Sequence, residues 1–430
     1  MIKDWRVGAL PGEEFEEKGR DTEEGLKAAK LLESYGYDAL DTDVGTYDAW
    51  WWNHPPMYQK KGLYREYCKM VKEVVNIPVF CAGRMDNPDM ALEAIENGEC
   101  DVIDLGRPLL ADPDYCNKLR CGNVTQIRPC ISCQEGCMGR VASYSLLNCA
   151  VNPQAARERV NAYEPILKKK KVLIVGGGVA GCEAARVLAI RGHEPVVYEK
   201  GNRLGGNLIP GGAPDFKEDD IALADWYTNE LDRLGVSVHL NTQLNEDEIK
   251  AMDFDTLILA TGSKPKVFSL GDDKHTYTAE QVLLKQKDAG KNTVVVGGGL
   301  VGCETALWLA QNGIHVTIVE ALDKVMAVNG PLCAANKEML EALLPFNGVD
   351  IVTGAKVTSF DNGKVELDTK EGAKSIECDS VILSVGYKEE NTLYNKLQFE
   401  VPDIYLLGDA KKVSNIMYAI WDAFEVANHI

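Results

Sequence analysis

The sequence carries no surplus of positive charge. Its 46 Lys and Arg stand against 65 Asp and Glu, a formal net charge of −19, and a field of that sign repels phosphodiester backbones and anionic lipid. Nucleic acid and membrane are therefore not expected as partners. Also missing is any apolar run of about 18 residues, the length a membrane-spanning helix needs. The opening MIKDWRVGAL has none of the apolar h-region of a secretory signal, so a cytoplasmic location is expected. The 13 cysteines do not imply a disulfide framework, which belongs to short secreted chains; in a long cytosolic chain they are mostly reduced or metal-bound. At 430 residues, 45% apolar and 26% charged, the chain can form two or three domains, each with its own core.

The first 120 residues repeat one pattern, an amphipathic helix followed by a short apolar strand. The helices are TEEGLKAAKLLESYG, YREYCKMVKEVV and NPDMALEAIENG; the strands are YDALDTDV (37–44), IPVFCAG (77–83) and CDVIDLG (100–106). Asp, Asn or Thr caps open several of the helices and Gly closes them. Alternating units with apolar strands predict a parallel sheet of the α/β class, specifically the C-terminal part of a (β/α)8 barrel. A complete barrel needs eight strands and roughly 200 residues, so about half of it is not in this sequence.

EPILKKKK (164–171) is a charged, proline-bearing linker. Beyond it, KVLIVGGGVAGCEAARVLAIRGHEPVVYEK (171–200) and TVVVGGGLVGCETALWLAQNGIHVTIVEA (293–321) repeat each other nearly residue for residue, 121 positions apart (176 to 297). Each copy runs from an apolar strand through GxGxxG into a helix, then into a second strand ending in an acid: Gly176, Gly178, Gly181 with Glu199, and Gly297, Gly299, Gly302 with Glu320. The first Gly permits the tight turn, the second admits a pyrophosphate to the helix N-terminus, and the third allows close packing. The carboxylate suits ribose hydroxyls. Two Rossmann-like dinucleotide units are predicted.

The sequence distinguishes the two units. After Glu199 come KGNRLGGNL, with Gly206 and Asn207, then TLILATGSKP (256–265) and VPDIYLLGDA (401–410). These resemble the FAD-site signatures of two-dinucleotide flavoproteins, which place Asp409 at the ribityl chain. The first unit then holds FAD, and the second, inserted between FAD segments, holds the nicotinamide. Glu320 would repel a 2′-phosphate, and ALDK after it offers only Lys324, so NADH is favoured over NADPH. The CxxxxC pair of disulfide-reducing relatives is absent from GNRLGGNLIPGG. Cys182 and Cys303, each next to a third Gly, read as small packing residues.

Between barrel and linker lies RPCISCQEGC (128–137), followed by Cys149. The spacing is C-x2-C-x3-C-x11-C at Cys130, Cys133, Cys137 and Cys149. Four thiolates suit either an iron–sulfur cluster or structural zinc. Position between two flavin regions favours the redox-active group, and spacing alone leaves zinc open.

The barrel end, RPCISCQEGC with CAVNP (149–153), and the paired dinucleotide units together resemble the iron–sulfur branch of the old yellow enzyme group, which includes 2-enoate reductase, 2,4-dienoyl-CoA reductase and trimethylamine dehydrogenase. GALPGEEFEEKGRD, GTYDAWWWNHPP and GRPLLADPD look closest to the clostridial enoate reductases. The resemblance implies a [4Fe-4S] cluster on the four cysteines. It also implies FMN at the barrel mouth, its phosphate against Gly83 and Arg84 (CAGR) and Gly106 and Arg107 (LGRP); strand-end amides and guanidinium groups suit a phosphate there. His54 falls where the group has an active-site histidine beside the substrate, which implies a catalytic role in orienting the substrate carbonyl or assisting protonation. Trp50, Trp51 and Trp52 suit either the substrate pocket or rim packing.

The implied organisation is 1–127, partial barrel; 128–170, cluster segment and linker; 171–268 with 387–430, FAD domain; and 269–386, NAD(H) domain. The implied activity is NADH-dependent reduction of the C=C bond of an α,β-unsaturated carboxylate or enoyl thioester. One alternative is an accessory electron-input subunit, in which a further chain supplies the missing barrel half; another is an amine dehydrogenase, against which the intact second unit argues. A homo-oligomer is equally compatible. The early barrel strands of the group, with their tyrosine acid, are expected before Met1, so the chain reads as N-terminally truncated.

Overall fold

In the computed structural model the described residues are 10–13, 21–45, 50–327 and 332–430. Parts of two motifs named above, GALPGEEFEEKGRD and GTYDAWWWNHPP, lie outside them. The chain divides into two compact units, Met1–Ser145 with Leu332–Leu343, and Leu146–Pro331 with Leu344–Ile430.

Among the described residues of the first unit, the first regular element is helix Thr22–Ser34, where the Asp21 side chain accepts from the Glu24 amide. Strand Leu40–Thr42, helix Arg65–Lys72, strand Val79–Cys81, helix Pro88–Glu96 and strand Val102–Ile103 follow. Asn87 caps Pro88–Glu96, with Pro at its start where a missing N–H costs nothing. The three strands pair in parallel and in chain order, Leu40 opposite Val79 and Phe80 opposite Val102. A helix between successive parallel strands is the βαβ arrangement. Val79, Cys81, Cys68, Leu63 and Tyr64 are buried beneath it.

The second unit holds two five-stranded parallel sheets. One orders its strands Ile404–Leu406, Thr256–Leu259, Lys171–Val175, Glu194–Tyr198, Ser237–His239. The other runs Asp350–Val352, His315–Val319, Asn292–Val296, Ser380–Leu383, Thr276–Thr278. The sequence repeat is a structural one, because Lys171 pairs with Glu194 as Asn292 pairs with His315. Continuous apolar strands such as Leu173–Val175 and Val294–Val296 are buried in both, as helix-flanked parallel sheets require. An antiparallel meander, Ala355–Asp361, Lys364–Thr369 and Gly372–Glu377, interrupts the second sheet before Ser380. Among the described residues no helix is long and apolar enough to cross a membrane.

Candidate functional site

In the first unit, His54 follows the short helix Trp50–Asn53. Its ring stands edge-on to Trp50 with centroids 4.7 Å apart. Burial first, and the neighbouring Arg107 charge second, lower its pKa to about 4. The imidazole is therefore neutral at physiological pH, and its buried Nδ1 has no hydrogen-bond partner among the described residues.

The main chain around His54 is held from Trp52 to Met57, carbonyl by carbonyl. The Tyr64 hydroxyl lies 2.5 Å from the Trp52 oxygen and 2.9 Å from that of Asn53. Gln134 Nε2 donates to the His54 carbonyl at 2.7 Å, and Arg107 Nη2 to that of Pro55 at 2.7 Å. Arg84 Nη1 reaches the oxygens of Pro56 at 3.3 Å, Met57 at 3.1 Å, and Gln59. Carbonyls in such a loop have no ladder partner, and each buried one left unmet costs about 1–3 kcal/mol. The two arginines expected at a phosphate thus also organise the histidine loop. Arg107 keeps a buried Nη1 without a partner among the described residues, a donor of the kind an anion needs.

Gly83 has φ +88°, and a Cβ there would lie 2.7 Å from the Tyr64 ring, so the strand end must be glycine for Tyr64 to reach its carbonyls. Arg84 follows with φ 61°. Gly106 precedes the short helix Arg107–Ala111. Trp51 and Trp52 are buried while Trp50 is partly exposed. Tyr64 and Gln134 were not expected from the sequence, since a side chain that binds main-chain oxygens leaves no motif.

In the second unit, Gly176 (φ +109°) and Gly297 (φ +103°) make the two strand-to-helix turns. A Cβ at Gly181 would lie 1.9 Å from the Gly176 oxygen, and one at Gly302 2.0 Å from that of Gly297. Gly178 and Gly299 occupy the N-cap positions of helices Val179–Arg191 and Leu300–Gln311, without side-chain caps. First-turn amides lacking a cap suit a pyrophosphate. Glu199 accepts from the amides of Gly177 (2.7 Å) and Gly201 (2.6 Å), and Glu320 from those of Gly298 (2.6 Å) and Leu322 (2.8 Å). Cys182 and Cys303 donate to the carbonyls of Gly177 and Gly298, buried in equivalent places.

The loop after Glu199 closes over the first turn. Gly205 donates to the Gly177 carbonyl at 2.9 Å, and a Cβ at Gly206 would lie 2.9 Å from Gly178 Cα. Asn207 occupies the N-cap position of the short helix Leu208–Gly211, without a side-chain cap. Asp409 accepts from Ser263 Oγ at 2.9 Å and the Ser414 amide at 3.0 Å, and burial raises its pKa. A Cβ at Gly408 would meet Ala180 at 2.8 Å, so the C-terminal turn bearing Asp409 packs on the start of the first glycine-loop helix. These glycine cradles fit a dinucleotide in each half.

Cys130, Cys133 and Cys137 lie in the first unit and Cys149 in the second, and none of the four is in a disulfide. Among the described residues no three His, Cys, Asp or Glu side chains are gathered to hold a metal ion. The loop between the first three is tightly wound: Ser132 (φ 51°) and Gln134 (φ 59°) are left-handed, and Glu135–Gly139 forms a π turn. Left-handed backbone at non-glycine residues persists where surrounding structure imposes it, commonly at ligand sites. Burial pushes the Cys137 thiol up, and Trp421 Nε1 donates to the Cys149 carbonyl at 3.0 Å. The donor set suits a cluster by its chemistry, four soft thiols.

Residues 170–423 match the family described as pyridine nucleotide-disulphide oxidoreductase, and residues 9–126 the NADH:flavin oxidoreductase / NADH oxidase family. The chain is 50% identical, over all 430 residues and 65% of the relative's length, to a cinnamate reductase of Clostridium sporogenes. It is 37% identical to an NADH oxidase of Thermoanaerobacter brockii over 96% of this chain and 65% of that one. A solved complex of 2-naphthoyl-CoA reductase with 2-naphthoyl-CoA superposes with a TM-score of 0.89 at 28% identity, covering 95% of this chain and 62% of that chain. The sequence thus spans a little under two thirds of the length of each.

Proposed function

Because the chain belongs to the pyridine nucleotide-disulphide oxidoreductase family, with its N-terminal part in the NADH:flavin oxidoreductase family, we propose that it works in NADH-dependent reduction of an enoate. The substrate class is an α,β-unsaturated carboxylate or enoyl thioester. The observation that carries this reading is the 50% identity, over the whole of this chain, to a cinnamate reductase. Bound at the residues named below, NADH, FAD, a [4Fe-4S] cluster and FMN would supply hydride donation, single-electron relay and hydride delivery to the alkene β-carbon, with the α-carbon taking up a proton.

The chain's own residues divide this work. Gly176, Gly178, Gly181, Glu199, Gly206, Asn207 and Asp409 hold FAD; Gly297, Gly299, Gly302 and Glu320 hold NADH. Cys130, Cys133, Cys137 and Cys149 ligate the cluster, while Gly83, Arg84, Gly106 and Arg107 line the FMN phosphate. His54 orients the substrate. Its neutral ring can donate one hydrogen bond to the substrate carbonyl oxygen and stabilise the charge that develops there, and the clamped carbonyls fix its position in advance. A neutral imidazole costs less to desolvate beside an apolar alkene than an imidazolium would.

The test is anaerobic purification followed by iron, labile-sulfide and flavin analysis, then NADH-driven reduction of cinnamate. About four irons per chain, FAD and FMN, with alkene reduction, are expected. Zinc in place of iron would overturn the electron path. FAD and iron without alkene reduction would assign the alkene chemistry to another chain.

A further inference from the structure

Gln134 stands between two cysteines of the cluster segment, yet its side chain serves the histidine loop. It is 1% exposed, and both ends of its amide are used. Nε2 donates to the His54 carbonyl at 2.7 Å, and Oε1 accepts from Cys333 Sγ at 3.7 Å. A carbonyl can only accept, so the amide nitrogen must face His54. Its own backbone carbonyl accepts from the Gly139 amide at 2.8 Å, closing the turn that carries Cys137. Tyr64, Arg84 and Arg107, which hold carbonyls of Trp52–Met57, come from the barrel portion, and Gln134 comes from the cysteine segment.

We propose that Gln134 is a positioning residue whose side chain ties the His54 loop to the cysteine segment and sets the geometry of that loop. The inference rests on the reading of His54 as the residue that faces substrate. Its chemistry requires glutamine. Glutamate would turn an acceptor toward the His54 carbonyl and leave two lone pairs opposed; asparagine is one methylene too short to span the same gap. The left-handed backbone at Gln134 (φ 59°) aims the side chain away from the direction an ordinary loop residue would take, a conformation kept only where neighbours impose it.

The holoprotein of the Gln134→Leu and Gln134→Glu variants tests this. Expected are unchanged iron content, NADH–ferricyanide activity within about twofold of the parent, and cinnamate reduction lowered at least tenfold in kcat with the KM for NADH unchanged. Hydrogen exchange should quicken in the peptide covering residues 50–60 and not in the glycine-loop peptides. Parent-like alkene reduction and parent-like exchange in that peptide would overturn the proposal, as would loss of iron in both variants, which marks a role in the cysteine turn alone. If the parent protein reduces no alkene, the functional reading of His54 fails; the exchange measurement then still decides whether Gln134 holds the loop.

Discussion

Lys217 Nζ stands 3.2 Å from the Glu304 carboxylate and 3.3 Å from that of Asp220. Lys217 lies just beyond the loop that closes over the first glycine turn, and Glu304 lies in the helix that opens at the second. Burial opposes the lysine charge, but Glu304 and Asp220 outweigh it and hold its pKa above the ordinary value. Burial raises the Asp220 pKa, Lys217 lowers it, and Glu304 raises it again. One cation between two carboxylates thus joins the two dinucleotide halves. Removing it takes a buried counter-charge away from both acids. Lys217→Met should cost about 3–5 kcal/mol, the usual consequence of breaking a buried pair from one side, read as a lowered midpoint in denaturant unfolding with FAD bound. A loss below about 1 kcal/mol, the surface-pair range, would show that water reaches the pair.

The assignment of FAD to the first glycine loop and NADH to the second gives a separable outcome. Glu320 latches the amides of Gly298 and Leu322, and in the proposed complex it must also receive the ribose hydroxyls. Glu320→Ala should weaken NADH binding tenfold or more, about 1.4 kcal/mol, while flavin content stays that of the parent. Titration of bound-flavin fluorescence with NADH measures the first, and released FAD the second. Loss of FAD with normal NADH affinity would mean the two sites are exchanged.

The His54 environment makes a pH prediction with a definite sign. Its folded pKa is lowered from 6.5 to about 4, so between those values the unfolded chain binds a proton that the folded chain does not. Its contribution is fully present above about pH 6.5, is lost as pH falls toward 4, and changes no further below. The His54 ring signal in NMR should be flat from pH 8 to 5, and a His54→Asn variant should lose part of the acid-side fall in stability. A midpoint near 6.5 in the parent would show that the ring is solvated.

The dinucleotide halves were legible in the sequence because their demands fall on residue type. Gly181 and Gly302 sit where any Cβ would strike the turn oxygen, and Glu199 and Glu320 end strands of matching register. The βα order of the first unit was legible for a similar reason, through apolar strands and capped helices. The histidine loop was only half legible. His54 could be placed by the resemblance and Arg84 and Arg107 by their positions at strand ends, but the oxygens the two arginines and their neighbours serve are main-chain atoms, common to every residue. Tyr64 and Gln134 bind such oxygens, and Lys217 meets Glu304 across 87 positions of sequence, so local pattern carries no sign of any of them.

The third glycines provide the sharpest comparison, because the same substitution should have different results at its two positions. A Cβ at Gly181 would lie 1.9 Å from the Gly176 oxygen, and one at Gly302 2.0 Å from the Gly297 oxygen. Neither oxygen can retreat without opening its turn, since the amides of Gly176 and Gly297 are held by the carbonyls of Tyr198 and Val319 at 2.8 and 2.9 Å. The helix must therefore tilt away from the turn, withdrawing its first amides from the pyrophosphate position. Gly181→Ala should purify without FAD, visible as loss of flavin absorbance. Gly302→Ala should keep its FAD and lose NADH-driven reduction of that flavin, while dithionite still reduces it. Retention of both cofactors in both variants would mean that the turns yield more readily than their packing indicates.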